Sequence, residues 1–191
     1  MKRIHLLLSI VFFLSSLTTL ASKRGDENQS PKHYIGERFG GGIVFYIYDD
    51  GKHGLIASKQ DQNHGVVWYN GLTRHVGKLE DGLGLGKENT QFIMNKLIVD
   101  DAHGIFAARI CAEYMVTEGG NIYKDWYLPS KFELDLLYQQ RKIVGGFTHD
   151  NYWSSNEYQY NSIWVQNFGN GLQRISNSES YANAARAIRA F

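Results

Sequence analysis

The chain has 191 residues, of which 43% are hydrophobic and 14% aromatic, and it carries one cysteine and a formal net charge of +1. This length predicts one compact domain, and the many aromatic residues with the small net charge exclude an intrinsically disordered chain. The single cysteine excludes an intrachain disulfide framework and any site built from several cysteines. The near-zero net charge does not indicate nucleic-acid binding.

Residues 1–21 have the pattern of a cleaved secretory signal peptide. Basic residues precede an apolar segment, and Thr19 and Ala21 supply the small residues that a signal peptidase reads. A membrane anchor is the alternative, but spanning a bilayer takes about 20 consecutive apolar residues, and hydroxyl residues interrupt this shorter run. We therefore expect an exported protein (periplasmic, cell-surface or secreted) with a flexible leader at 22–33, one domain at 34–191 and no membrane span after cleavage.

The first part of the domain predicts a β-hairpin. Residues 43–48 and 55–58 are rich in β-branched and aromatic side chains, and an Asp-Gly turn at 49–54 separates them. Because residues 43–48 are apolar on both faces of the predicted strand, we expect both faces to be covered.

The middle of the chain predicts about three helices. Asn89 or Thr90 is expected to cap the first helix, and Gly119-Gly120 to end the second. Ser130 and Glu133 have the spacing of a capping box, which starts the third helix.

The last part of the chain returns to β-strand patterns. Strand-like runs at 152–154, 163–168 and 172–175 are separated by turn-rich segments, and residues 187–191 predict a closing strand. Strands, helices and then strands again predict a single α+β domain with an antiparallel sheet.

Four blocks of sequence together resemble a known bacterial family. The blocks are residues 41–46 with 54–57, residues 84–90, residues 125–134, and residues 152–155 with the C-terminal 186–191. Over residues 34–191 they are similar to the family named after the C-terminal domain of the collagen-like adhesin Lcl. The resemblance implies a C-type-lectin-like domain without disulfides that binds a glycan or a surface protein without catalysing a reaction.

Two other functions stay open as alternatives. The implied superfamily includes the formylglycine-generating oxidases, which use reactive cysteines, whereas this chain has only Cys111 in an apolar helical stripe. A buried thiol of this kind is inert. The other alternative is a structural or assembly component of the cell envelope.

The sequence predicts no cofactor, although calcium stays open. The histidines do not have the spacing of zinc ligands. Asn156, Glu157 and Asn167 offer oxygen atoms, but calcium takes about six to eight of them, and the sequence does not supply that set.

The candidate ligand-binding residues are aromatic, amide and carboxyl side chains in polar or loop segments. They are Trp68, Tyr69, Asn156, Glu157, Tyr158, Tyr160 and Asn161. Exposed aromatic rings are expected to stack on sugar faces while amide and carboxyl groups bind hydroxyls, with ordinary turn packing as the alternative.

Two further groups of residues are given roles by the sequence. Trp126, Trp153 and Trp164 are expected to pack in the core. Arg174, Arg186 and Arg189 are candidates for binding acidic groups of a glycan, and a solvated strand edge is the alternative.

Overall fold

The computed structural model describes residues 32–69, 75–77, 79–99, 101–177 and 182–191. The signal peptide predicted at 1–21 and most of the leader predicted at 22–33 lie outside the described residues. The end of that leader contacts the domain, because the His33 N–H donates to the Gly51 carbonyl at 2.8 Å and its ring stacks on Phe39 at 3.9 Å. The packed part of the chain therefore includes residues that the sequence assigned to the leader.

The described residues form eleven strands and four α-helices. The strands are β1 (Arg38–Phe39), β2 (Gly42–Tyr48), β3 (His53–Ala57), β4 (Asn63–Val66), β5 (Val116–Glu118), β6 (Asn121–Tyr123), β7 (Asn151–Gln159), β8 (Ser162–Asn167), β9 (Gln173–Asn177), β10 (Asn183–Ala185) and β11 (Ile188–Ala190). The helices are α1 (Leu85–Leu97), α2 (Ala107–Ala112), α3 (Lys131–Gln139) and α4 (Arg141–Val144). The expected α+β class is confirmed, with one short helix more than predicted, and none of the described helices is long and apolar enough to cross a membrane.

Three sheets organise the domain. One has the strand order β1-β2-β3-β11 and is antiparallel throughout. A second has the order β4-β10-β7-β8-β9 and contains one parallel pair, β10 with β7, and β5 and β6 form a separate hairpin. The predicted hairpin of β2 and β3 and the predicted closing strand β11 are both confirmed.

Both faces of the first sheet are covered, as the apolar run in β2 predicted. Val44 packs in a core with Trp153 of the second sheet and Ile93 of α1, whereas the neighbouring Phe45 packs in a second core with Leu137 of α3. Successive strand residues point to opposite faces, so the sheet lies between these two cores.

Two predicted helix boundaries are wrong. Gly119-Gly120 does not end a helix but connects β5 to β6, with φ of 58° and 81° that suit glycine in a tight hairpin. Helix α1 begins after Gly84, and Asn89 and Thr90 lie buried inside it. Their side chains bond the rest of the domain instead: the Asn89 amide donates to the Glu80 carbonyl at 2.8 Å, and the Thr90 hydroxyl accepts from the Leu128 N–H at 3.0 Å.

Candidate ligand-binding site

A pocket of about 420 Å³ opens where β7 ends and turns into β8. Its described lining is His75, Gly77, Glu157, Tyr158, Gln159 and Tyr160. Three of the predicted site residues, Glu157, Tyr158 and Tyr160, therefore meet at one surface. We call this the tyrosine pocket.

Two tyrosine side chains of the tyrosine pocket are exposed to solvent. Tyr158 is 60% exposed and Tyr160 is 56% exposed. The Tyr158 ring meets the half-buried Trp164 edge to face, with centroids 5.8 Å apart, and Lys131 Nζ lies 4.3 Å from the centre of the Trp164 ring. Tyr158 is thus held in place by its neighbours, while Tyr160 lies in the turn that follows β7.

The carboxylate of Glu157 organises the inner wall of the tyrosine pocket. One oxygen accepts the Tyr69 hydroxyl at 2.6 Å, and the other accepts the N–H groups of Val76 and Gly77 at 2.9 and 3.0 Å. Burial, reinforced by the bond to Glu157, raises the pKa of the Tyr69 hydroxyl, so Tyr69 remains a donor. Glu157 therefore ties residues 75–77 to β7.

His75 lies at the pocket surface above this carboxylate. Its Nδ1 is 3.1 Å from Glu157 Oε2, and about half of its side chain is exposed. When Nδ1 of a neutral ring donates to the carboxylate, Nε2 is left as an acceptor. His75 thus offers a polar atom beside the two tyrosines.

The expectation that Trp68 and Tyr69 present their rings to a ligand is wrong. Both are buried, and Trp68 Nε1 donates to the Ser154 carbonyl at 2.9 Å. Their polar atoms are satisfied inside the domain, so these rings serve the core. The neighbouring Asn70 and Gly71 lie outside the described residues.

Asn156 and Asn161 also have roles in the fold. The buried Asn156 side chain accepts from the Lys131 N–H at 2.7 Å and donates to the carbonyls of Leu79 and Glu80 at 3.1 and 2.9 Å. Asn161 has a φ of 56° in the two-residue turn between β7 and β8, a conformation that asparagine tolerates well. Asn156 is therefore not available at the surface, and Asn161 shapes the turn that presents Tyr160.

The oxygen atoms considered for calcium accept hydrogen bonds from protein donors. Asn167 Oδ1 accepts the N–H groups of Gly169 and Asn170, both at 3.0 Å, while Asn156 and Glu157 accept the donors given above. Within the described ranges, no cluster of three or more His, Cys, Asp or Glu side chains is arranged to hold a metal ion.

The arginines expected to bind acidic ligands differ in exposure. Arg186 is fully buried and its Nε donates to Asp61 at 2.5 Å, so neither the proposed contact with an acidic ligand nor the alternative of a solvated strand edge fits its position. Arg189 forms two bonds to the Asp125 carboxylate, at 2.7 and 3.0 Å, and Arg174 is exposed. The alanines on both sides of Arg186 are the sequence feature that pointed to its burial.

Cys111 is buried in the core, and burial raises the pKa of its thiol. We expect a maleimide reagent to leave Cys111 unmodified in the folded protein and to label it fully after denaturation, because the thiolate is the reactive form. Mass spectrometry of native and urea-unfolded samples measures this, with glutathione as the reference thiol. Native labelling as fast as that of glutathione would contradict the burial of Cys111.

Comparison of the sequence with known proteins identified no relatives among family models or curated proteins. The resemblance to the Lcl C-terminal domains thus rests on the sequence blocks given above.

Proposed function

We propose that this chain is an exported, non-catalytic module of C-type-lectin-like fold that binds a glycan at the tyrosine pocket. The observation that carries the proposal is the pair of exposed tyrosines, Tyr158 and Tyr160, at the mouth of a concave site with a polar inner wall. The volume of about 420 Å³ falls within the usual range of small-ligand pockets, about 300–1,000 Å³.

The exposed side chains match the two kinds of surface that a sugar ring has. The C–H face of a pyranose is apolar and packs against an aromatic ring. Its hydroxyl groups project from the edge of the pyranose ring and form hydrogen bonds with polar groups of the protein. Tyr158 and Tyr160 supply both an apolar face and a hydroxyl. Gln159 and His75 add an amide and a ring nitrogen for the sugar hydroxyls.

Glu157 acts in this proposal as a positioning residue. Its two oxygens already accept Tyr69, Val76 and Gly77, with His75 beside them. The Glu157 side chain has no surface exposed to solvent, so a sugar hydroxyl does not reach the carboxylate directly. Glu157 thus serves the glycan by holding residues 75–77 against the tyrosines.

The charges of the tyrosine pocket favour an uncharged oligosaccharide. Of the described lining residues, Glu157 is paired with His75, and the others carry no charge. Among these described residues, none is a lysine or arginine of the kind that binds a sulfated or carboxylated sugar.

A surface protein is the less favoured ligand class for this site. A stable protein interface buries about 800 Å² on each partner, whereas the feature here is a small concavity with two aromatic rings. The buried, unreactive environment of Cys111 supports a non-catalytic role over thiol oxidation.

Replacing Tyr160 by alanine is expected to weaken binding of a neutral oligosaccharide by about tenfold or more, because the variant loses one stacking face. An array of neutral and acidic oligosaccharides identifies the probe, and calorimetry with that oligosaccharide then measures the affinity. The affinity should be the same in calcium and in a chelator.

Tyr34→Ala is the matched control, since Tyr34 is 64% exposed and does not line the pocket. Its affinity should stay within about twofold of the unmodified protein, well below the loss expected for a contact residue. Equal affinity of Tyr160→Ala and the unmodified protein, or binding of acidic sugars alone, would contradict the proposal. Capture of an envelope protein without any glycan binding would favour the surface-protein alternative.

A further inference from the structure

A second cavity lies along helix α1, on residues that the tyrosine pocket does not use. It has a volume of about 320 Å³ and lies between α1, α2 and the segment at Asp125 and Trp126. We call it the helix groove. All of its lining residues fall within the described ranges.

One wall of the helix groove is apolar. Met94 and Ile98 are four residues apart on α1 and so lie one turn apart on the same face, and Ala112 and Trp126 complete this wall. The rest of the lining is polar: Lys87, Thr90, Gln91, Asn95 and Asp125. The Trp126 ring is nearly fully buried and donates its N–H to the Tyr123 carbonyl at 3.1 Å, while Tyr114 meets it edge to face. The groove therefore has a preformed wall.

The polar end of the helix groove carries a net positive charge. Lys87 lies in the first turn of α1, is exposed, and forms no ion pair with a described residue. The Asp125 carboxylate in the same groove is already bound through both oxygens by Arg189, at 2.7 and 3.0 Å. Lys87 and Arg189 both act on the single negative charge of Asp125, so the three groups together leave this end of the groove with a net positive charge for a ligand.

We propose that the helix groove binds a small amphipathic monoanion, with its apolar body against Met94, Ile98 and Trp126 and its acidic group on Lys87. An apolar chain or ring is stabilised by the apolar area that it removes from water, and a carboxylate or sulfonate gains a charge-assisted hydrogen bond from the ammonium group. This site is independent of the glycan proposal, since the two cavities share no lining residue.

The probe is 8-anilinonaphthalene-1-sulfonate, an aromatic monoanion whose fluorescence rises in apolar surroundings. Titration of the purified protein should show one saturable site. Decanoate, an aliphatic carboxylate, and 4-phenylbutyrate, an aromatic one, are then tested as competitors of the probe. Displacement by either supports the site, and the stronger competitor shows whether an aliphatic or an aromatic ligand binds better. Decanol, which lacks the charge, should displace the probe much less effectively than decanoate.

Lys87→Glu is expected to weaken probe and decanoate binding by about tenfold, the factor for one lost charge-assisted hydrogen bond. Lys96→Glu is the matched control, because Lys96 lies on the same helix beside Phe92 and does not line the groove. Ala112→Phe, which fills the groove from α2, should abolish binding, and thermal unfolding monitors the fold of each variant.

Three results would overturn the proposal. They are the absence of a saturable site, equal affinities in the Lys87→Glu and Lys96→Glu variants, and equal displacement by decanol and decanoate. Because Lys87 is exposed, we expect the Lys87→Glu variant to fold, so its affinity for the probe tests the proposal even if Ala112→Phe does not fold. Tyr160→Ala should leave probe binding unchanged, which separates failure of this site from failure of the tyrosine pocket.

Discussion

Replacing Arg186 by leucine is expected to lower the free energy of unfolding by about 3–5 kcal/mol, the usual loss when one partner of a buried ion pair is removed. Arg186 and Asp61 both have side chains with 0% exposure. The guanidinium also donates to the Ser58 carbonyl at 3.0 Å and to the Gly146 carbonyl at 2.6 Å. Leucine would leave the buried Asp61 carboxylate without its positive partner, although the Tyr152 hydroxyl still donates to it at 2.7 Å. It would also leave these two carbonyls without their donor.

Urea unfolding followed by tryptophan fluorescence measures this loss. Arg174→Leu is the control, because Arg174 is exposed on β9 and its loss should change stability by only about 0.5 kcal/mol or less. The double variant Asp61→Leu with Arg186→Leu should lose less than the sum of the two single variants, since no charge is then left unpaired. A cost for Arg186→Leu equal to that of Arg174→Leu would show that the pair does not stabilise the fold.

Replacing Glu133 by glutamine is expected to destabilise the fold by about 1–3 kcal/mol, the cost of leaving a buried polar group unsatisfied. The fully buried carboxylate accepts the Gly84 N–H at 2.9 Å on one oxygen and the Ser130 N–H at 2.8 Å on the other. Both oxygens of a carboxyl group can accept a hydrogen bond whether or not the group is protonated, whereas the NH₂ group of glutamine cannot, so glutamine would turn a donor toward one of these donors. The starts of α1 and α3 should therefore loosen together.

The pH dependence provides an independent readout of Glu133. Burial raises the pKa of this carboxyl above its ordinary 4.5, although hydrogen bonds from Ser130 and Gly84 oppose the shift. A raised pKa means that the folded state holds the proton more tightly, so this contribution to stability is full at low pH. It falls as the pH rises from 4.5 through the raised value.

Glutamine does not ionise, so the stability gap between the native protein and Glu133→Gln should narrow as the pH rises through this window. Urea unfolding at a series of pH values measures the gap. Glu88→Gln, an exposed change in the first turn of α1, serves as the control and should shift stability by about 0.5 kcal/mol or less. A gap that widens with pH would show that the folded state favours the ionised carboxylate.

Features that depend on neighbouring residues were read correctly from the sequence. The β2–β3 hairpin has its Asp-Gly turn, Ser130 and Glu133 form the predicted capping box, and β11 closes the first sheet. Each of these depends on turn chemistry, capping or strand propensity within a few residues. The errors at Asn89, Thr90 and Gly119-Gly120 arose because contacts with distant segments and strand pairing replaced the local pattern.

The candidate site was only partly predictable, for a related reason. Tyr158 and Tyr160 were identified because the sequence predicted a loop there between two strands, and loops lie at the surface. Tyr160 does lie in the turn, whereas Tyr158 lies near the end of β7. Trp68 and Tyr69 have the same local composition, but they are buried against β7. His75 was missed as a site residue, since nothing near it in the sequence indicates that it meets Glu157.

The length and the single cysteine by themselves determined one domain on a hydrophobic core without an intrachain disulfide, and the order of strand and helix patterns along the chain gave its α+β class. Only the tertiary structure decided which polar residues serve the fold and which face solvent. Glu157 bonds Tyr69 across 88 positions, and Arg186 bonds Asp61 across 125. Burial and hydrogen-bond partners at such separations depend on how the sheets and helices pack, which local sequence does not specify.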